Sequence, residues 1–136
     1  MYSFKTNIRV RYAETDQMGF VYYGVYAQYY EVGRVELLRS LGFSYKELEE
    51  MGVTLPVVSL NIQYKKPAYY DDNLTIITNL NELPSKKITF TYEILNDQSL
   101  LLNIGEVVLV FVDKKTGKTC SAPKSVMSLF EKYFSK

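Results

Sequence analysis

One long segment of helical period, followed by nothing but strands until the last residues, leaves this chain few architectures. From Tyr22 to Leu41 the residues Tyr22, Tyr26, Tyr29, Tyr30, Gly33, Leu37 and Leu41 recur every three or four positions, the stripe of an amphipathic helix. Gln28, Glu31, Arg34 and Arg39 fall on the opposite side. Gly33 in mid-helix costs roughly 1 kcal/mol against alanine, which implies that something packs closely on it. Before the helix, Phe4 to Tyr12 alternates Phe, Thr, Ile, Val, Tyr with Lys, Asn, Arg, Arg, a strand with one buried face. After it, "SYKE" (Ser44 to Glu47) is a capping box for a short second helix.

Four alternating segments then follow. Val58, Leu60, Ile62 and Tyr64 predict a buried face on the first, with Ser59, Asn61, Gln63 and Lys65 on the other side. The next cover Leu74 to Leu80, Ile88 to Ile94 and about Leu100 to Val112, joined by turn signals such as "NDQ" and "DKKTGK". Hairpin-length connections imply an antiparallel sheet. The one long helix must bury its stripe on that sheet, so the fold class is α+β, a single domain over residues 1–136. Val126, Met127, Phe130 and Phe134 predict a short C-terminal helix packing back.

Composition removes several function classes. The chain has no histidine and one cysteine, Cys120, so histidine-dependent triads and zinc sites of the usual kinds fail, and no internal disulfide forms. A reducing, cytoplasmic setting follows as the expectation. No metal site or cofactor is expected. The formal net charge of +1 gives no global field for nucleic acid. No apolar run reaches the length of a membrane span, so no membrane insertion is expected. Thirteen tyrosines suit surfaces that are half apolar and half wet, such as clefts and interfaces.

Two motifs carry a family resemblance. "VRYAETDQMGFVYYGVYAQYYEVGRVELLRSLGF" and "VSLNIQYKKPAYYDDNLTI" together resemble the hotdog-fold acyl-CoA thioesterases. The nearest branch is the 4-hydroxybenzoyl-CoA thioesterase-like one, which includes the thioesterase associated with the Tol-Pal system. The resemblance implies a curved antiparallel sheet wrapped around a central helix. It also implies an acyl-CoA substrate, and a homodimer or homotetramer built by joining sheets edge to edge, with active sites between subunits.

Residue by residue, Asp16 matches the catalytic carboxylate, and two roles remain open: nucleophile or general base for water. By itself, an aspartate beside a glycine is most often a turn residue; the resemblance decides for catalysis. The backbone N–H of Tyr23, at the helix start, matches the donor to the carbonyl oxygen. Here the chain departs from the family, since one branch has histidine at Tyr23, and the asparagine common two positions on is Val25. Tyr12 matches a tyrosine near the acid. Gly19 lets the thioester approach the backbone, and Tyr26 and Ser59 are expected to line the pocket. Lys65, Lys66, Lys86 and Lys87 are the candidate phosphate partners. Coenzyme A enters as part of the substrate and not as a cofactor.

Hotdog dehydratases rely on a histidine paired with an acid, and this chain has none. An acyl-carrier-protein thioesterase and a non-catalytic acyl-CoA or partner-binding module remain as alternatives.

Overall fold

The computed structural model describes residues 1–134. Strand β1 (Tyr2–Arg9) opens the chain, its odd positions exposed and Tyr2, Phe4, Thr6 and Ile8 half-buried. It ends earlier than its alternation suggests. Beyond Val10 the chain turns into a 3-10 turn over Tyr12–Glu14, which Glu14 closes by accepting from the Arg11 N–H. A second 3-10 turn, Tyr23–Val25, leads into helix α1 (Tyr26–Ser40). Tyr22 therefore lies outside the helix and is exposed.

Helix α2 (Tyr45–Glu50) follows, with Ser44 at its N-cap accepting from the Glu47 N–H. Then come β2 (Val53–Thr54), β3 (Val57–Tyr64), β4 (Asn73–Leu80), β5 (Lys87–Leu95), β6 (Leu101–Val110), β7 (Val112–Asp113) and helix α3 (Lys124–Glu131). The main sheet has five strands in the order β1-β4-β5-β6-β3, every pair antiparallel; β2 and β7 form a separate ribbon.

Alternation puts Leu74, Ile76, Thr78 and Leu80 of β4 and Ile88, Phe90, Tyr92 and Ile94 of β5 against α1, all buried. Tyr26, Tyr29, Tyr30, Gly33 and Leu37 answer them from the helix. Gly33 does lie under a close contact: a β-carbon there would collide with Thr78 Oγ1 and stand 3.0 Å from Ile76 Cγ2. Tyr30 spreads over Gly105 and stacks on Tyr92 with ring centroids 4.2 Å apart. Sheet and central helix thus form the α+β hotdog arrangement.

Two expectations are corrected. Arg34, assigned to the solvent side of the helix, is buried, with its side chain 7% exposed. The apolar face of β3 is not covered: Val57, Val58, Leu60 and Tyr64 are 45–59% exposed. The alternation is real, but β3 is a sheet edge and α1 does not reach over it. A bulge between Val57 and Ser59 also moves Val58 out of the alternation.

Candidate active site

The site is built from the turn that follows β1. Glu14, buried at 6% exposure, is its anchor. Its carboxylate accepts from the Arg11 N–H (2.8 Å), the Arg11 guanidinium (2.9 Å) and the Tyr29 hydroxyl of α1 (2.9 Å). Burial pushes this carboxyl up, but the hydrogen bonds from Arg11 and Tyr29 outweigh it and hold it below the ordinary value. Burial and the bond to Glu14 drive the Tyr29 phenol far above its usual range, so it stays a donor. The Glu14 carbonyl also accepts from the Tyr22 N–H at 2.9 Å. One residue therefore fixes the entry to the turn and the approach to the helix.

Asp16 sits in a two-strand hook. Thr15 pairs with Val21, and the Asp16 N–H donates to the Phe20 carbonyl at 2.8 Å. Gly19, at φ +80°, closes the loop with its N–H on the Asp16 carbonyl. Nothing lies within 4 Å of where its β-carbon would be, so the backbone angle, not crowding by protein atoms, requires glycine. Asp16 Oδ1 accepts from the N–H groups of Met18 (2.9 Å) and Phe20 (3.3 Å). Oδ2 has no partner among the described residues. The carboxylate is thus held by one oxygen, and the other is free of protein partners among the described residues.

A cleft of about 350 Å³ opens beside it, lined by Asp16, Met18, Phe20 and Val21 on one side. Tyr23 and Tyr26 enter from the helix start, and Tyr64 to Pro67 from the end of β3. The Val25 N–H is the first to find an intrahelical partner, Tyr22. The amides of Tyr23 and Gly24 donate to no protein group among the described residues, as helix starts leave them. Tyr64 braces this corner, its hydroxyl donating to the Tyr23 carbonyl at 3.0 Å and its ring 5.6 Å from that of Tyr26. Burial raises the Tyr26 phenol above its ordinary value.

Asp16, Tyr23, Tyr26, Lys65 and Lys66 of the sequence candidates therefore meet in one cleft, with Gly19 in the same turn. Three expectations are not met within the protomer. Tyr12 belongs to no strand; it is 76% exposed, edge-on to Tyr70 at 5.6 Å, and lines no part of the cleft. Ser59 lies on the sheet face away from α1, since it is out of phase with Leu60 and Ile62. It lines a separate, polar hollow of about 520 Å³ with Asn61, Gln63, Thr91 and Glu106. Lys87 pairs with Val110, whereas Tyr64 pairs with Asn103. Lys86 and Lys87 thus sit at the opposite end of the sheet, roughly 20 Å from Lys65. The sequence reading missed Glu14 and Tyr64. The spacing from Arg11 to Glu14 is that of a capping box and was the available signal for Glu14; nothing local marked Tyr64.

A carboxylate with one oxygen free of protein partners and a helix start with unpaired amides thus border one mostly apolar cleft. Residues 10–130 match the thioesterase-like superfamily model, and the chain belongs to that superfamily: it is a thioester hydrolase of the hotdog fold. It is 41% identical over 118 residues to the putative acyl-CoA thioesterase YneP of Bacillus subtilis, covering 87% of this chain and 86% of the relative. It is 36% identical to the acyl-CoA thioester hydrolase YbgC of Escherichia coli, covering 94% of this chain and 96% of the relative. The crystal structure of a DHNA-CoA thioesterase from Staphylococcus aureus superposes with a TM-score of 0.94 at 32% identity, over 99% of this chain and 93% of that one.

Proposed function

We propose that the protein hydrolyses acyl-CoA thioesters to the free acid and coenzyme A. The observation that carries the reading is the Asp16 carboxylate, pinned through Oδ1, with Oδ2 free in the cleft that Tyr23 shares. The thioester carbonyl carbon lies over Oδ2 and its oxygen takes the Tyr23 N–H, where the helix start favours developing negative charge. Asp16 then acts in one of two ways. It attacks the carbon, expels the thiolate and forms an anhydride that water opens. Otherwise it takes a proton from water as that water attacks. Both routes consume one water and release acid and thiol, and neither calls on a cofactor. Lys65 and Lys66 at the mouth of the cleft are placed for the phosphates of the thiol carrier.

The uncovered face of β3 supports a homodimer in which two such edges meet. The same lysines suit an acidic acyl carrier protein, so the substrate panel includes acyl-carrier-protein thioesters.

The test is thiol release from acyl-CoAs of graded length and aromaticity, with Cys120 subtracted from the thiol baseline. Asp16→Asn keeps the shape and removes the charge, and kcat/KM is expected to fall on the order of 10²- to 10⁴-fold. Turnover indifferent to Asp16 defeats the mechanism. Binding of acyl-CoA without turnover on any substrate makes the protein a binding module instead. In single-turnover hydrolysis in ¹⁸O-water, label on Asp16 establishes an anhydride opened at the Asp16 carbonyl, whereas label in the acid alone fits either the general-base route or opening at the acyl carbon.

A further inference from the structure

The two groups that the proposed reaction calls on sit on separate pieces of backbone. The hook from Glu14 to Val21 carries Asp16. The helix start carries the unpaired Tyr23 amide and runs on into α1. Among the described residues, two hydrogen bonds tie the hook to the helix segment, and both end on Glu14. The Tyr22 N–H donates to its carbonyl at 2.9 Å. The Tyr29 hydroxyl donates to its carboxylate Oε1 at 2.9 Å. Asp16 lies two residues beyond Glu14, and Tyr23 lies one residue beyond Tyr22. Little slack is left between either group and this clamp.

The clamp closes inside one protomer, since Glu14 and Tyr29 are both buried there. Both oxygens of the Glu14 carboxylate are engaged: Oε1 also takes the Arg11 N–H, and Oε2 takes the Arg11 guanidinium. Glu14 is therefore not a spare base for the reaction. From Glu14 the position passes along the hook through the Thr15–Val21 pair and the Asp16 N–H on the Phe20 carbonyl. A phenylalanine at position 29 would fill the same core space. What the hydroxyl adds is the bond across to the hook. Burying a carboxylate there carries a desolvation cost that an apolar pair would not, so the bond marks a position the fold must hold.

We propose that Tyr29 and Glu14 are positioning residues whose hydrogen bond sets the separation between the Asp16 carboxylate and the Tyr23 amide. The inference rests on the roles given to Asp16 and the Tyr23 N–H above. Those two groups act on the carbon and the oxygen of one carbonyl, so their spacing has to match a single bond. A misplacement of about 1 Å in such an arrangement costs on the order of 10²-fold in rate. Without the Tyr29 hydroxyl the hook shifts against the helix, while both reacting groups stay chemically intact. The effect then falls on kcat. KM holds, because the apolar walls of the cleft are retained.

The experiment measures kcat and KM for Tyr29→Phe and Tyr30→Phe with the acyl-CoA of the panel that turns over fastest. The two variants are matched, since each removes one buried tyrosine hydroxyl from α1. Tyr30 donates to Asn103 Oδ1 on β6, away from the hook. The Asn103 amide nitrogen already lacks a partner, so Tyr30→Phe strains the fold at least as much as Tyr29→Phe. Tyr29→Phe is expected to lower kcat on the order of ten-fold while KM stays within about two-fold of wild type; Tyr30→Phe leaves both within about two-fold. Equal losses of kcat in the two variants overturn the proposal and make the Tyr29 hydroxyl a structural group only. Wild-type kcat in Tyr29→Phe overturns it as well. If Tyr29→Phe does not fold, Arg11→Met decides. That side chain is 75% exposed, and its loss frees Glu14 Oε2 without opening the core; wild-type kcat in Arg11→Met is then the refuting result. Asp16→Asn tests the underlying reading. No turnover, or turnover indifferent to Asp16, defeats both readings, whereas Asp16-dependent turnover with kcat unmoved in Tyr29→Phe defeats this inference alone.

Discussion

Replacing Gly33 by alanine sets two magnitudes against each other. In an exposed helix the change would stabilise by about 1 kcal/mol through backbone entropy. Here the new methyl meets Thr78 Oγ1 inside van der Waals contact, with Ile76 Cγ2 at 3.0 Å and Tyr92 Cε1 at 3.5 Å behind it. Thr78 is fully buried on β4, a strand paired on both sides by β1 and β5, so its backbone cannot retreat. The helix must lift instead, opening the Tyr30–Tyr92 stack. Such overpacking costs about 1–3 kcal/mol. The net expectation is a loss of about 1 kcal/mol rather than a gain.

The partner substitution makes the argument sharper. Thr78→Ala removes the obstructing γ atoms together with a buried hydroxyl that finds no hydrogen-bond partner. In the Gly33→Ala background it should recover stability, with a coupling of at least about 1 kcal/mol across the double-mutant cycle. Urea unfolding of the four proteins, read by linear extrapolation, measures this. A Gly33→Ala protein stabilised by the full helix-propensity gain, with Thr78→Ala merely additive, would refute the claim that contact with β4 is what requires glycine.

Two further outcomes follow from the site and the sheet edge. Glu14 in the fold titrates below its ordinary value of 4.5, so its contribution to stability is fully present above that pH and is lost as pH falls through the lower, folded value. Glu14→Gln should therefore cost about 1–2 kcal/mol near neutrality, and chemical denaturation at graded pH should show the gap to wild type closing in acid; a gap that widens there contradicts the assignment. Leu60→Lys places a charge on the uncovered face of β3; under the proposed homodimer, sedimentation velocity should find a dimeric wild type and a monomeric variant. Unchanged association would move the interface elsewhere.

Legibility in the sequence followed which strand faces α1 covers within one chain. β1, β4 and β5 alternate because one face meets α1, and their inner residues were readable as core. β3 alternates just as clearly, yet periodicity cannot tell a face covered by this chain from one left bare at an edge. Charge misled in the same way: Arg34 reads as a solvent residue until the approach of Tyr45 buries it. Gly33 was legible as a contact point because glycine in mid-helix has a cost that something must offset. The candidate acid was another matter. Asp16, Gly19 and the helix start are adjacent in sequence, so their meeting was predictable, but only the family resemblance separated a catalytic carboxylate from a turn residue. Tyr12, Ser59, Lys86 and Lys87 lie outside the protomer's cleft because their places depend on where a strand stops, on its phase, and on which end of the sheet a hairpin occupies.

The proposed homodimer, built on the bare inner face of β3, would tie the molecule to its own concentration. An edge that leaves Val57, Leu60 and Tyr64 in water is a store of association free energy that a solitary chain cannot use. If a second copy pairs with that edge, as proposed, it stabilises the folded state by mass action, and the melting temperature is expected to rise with protein concentration. The Asp16 cleft has Tyr64 of this same edge in its wall. In the proposed homodimer, dilution is expected to act on stability and on this cleft together.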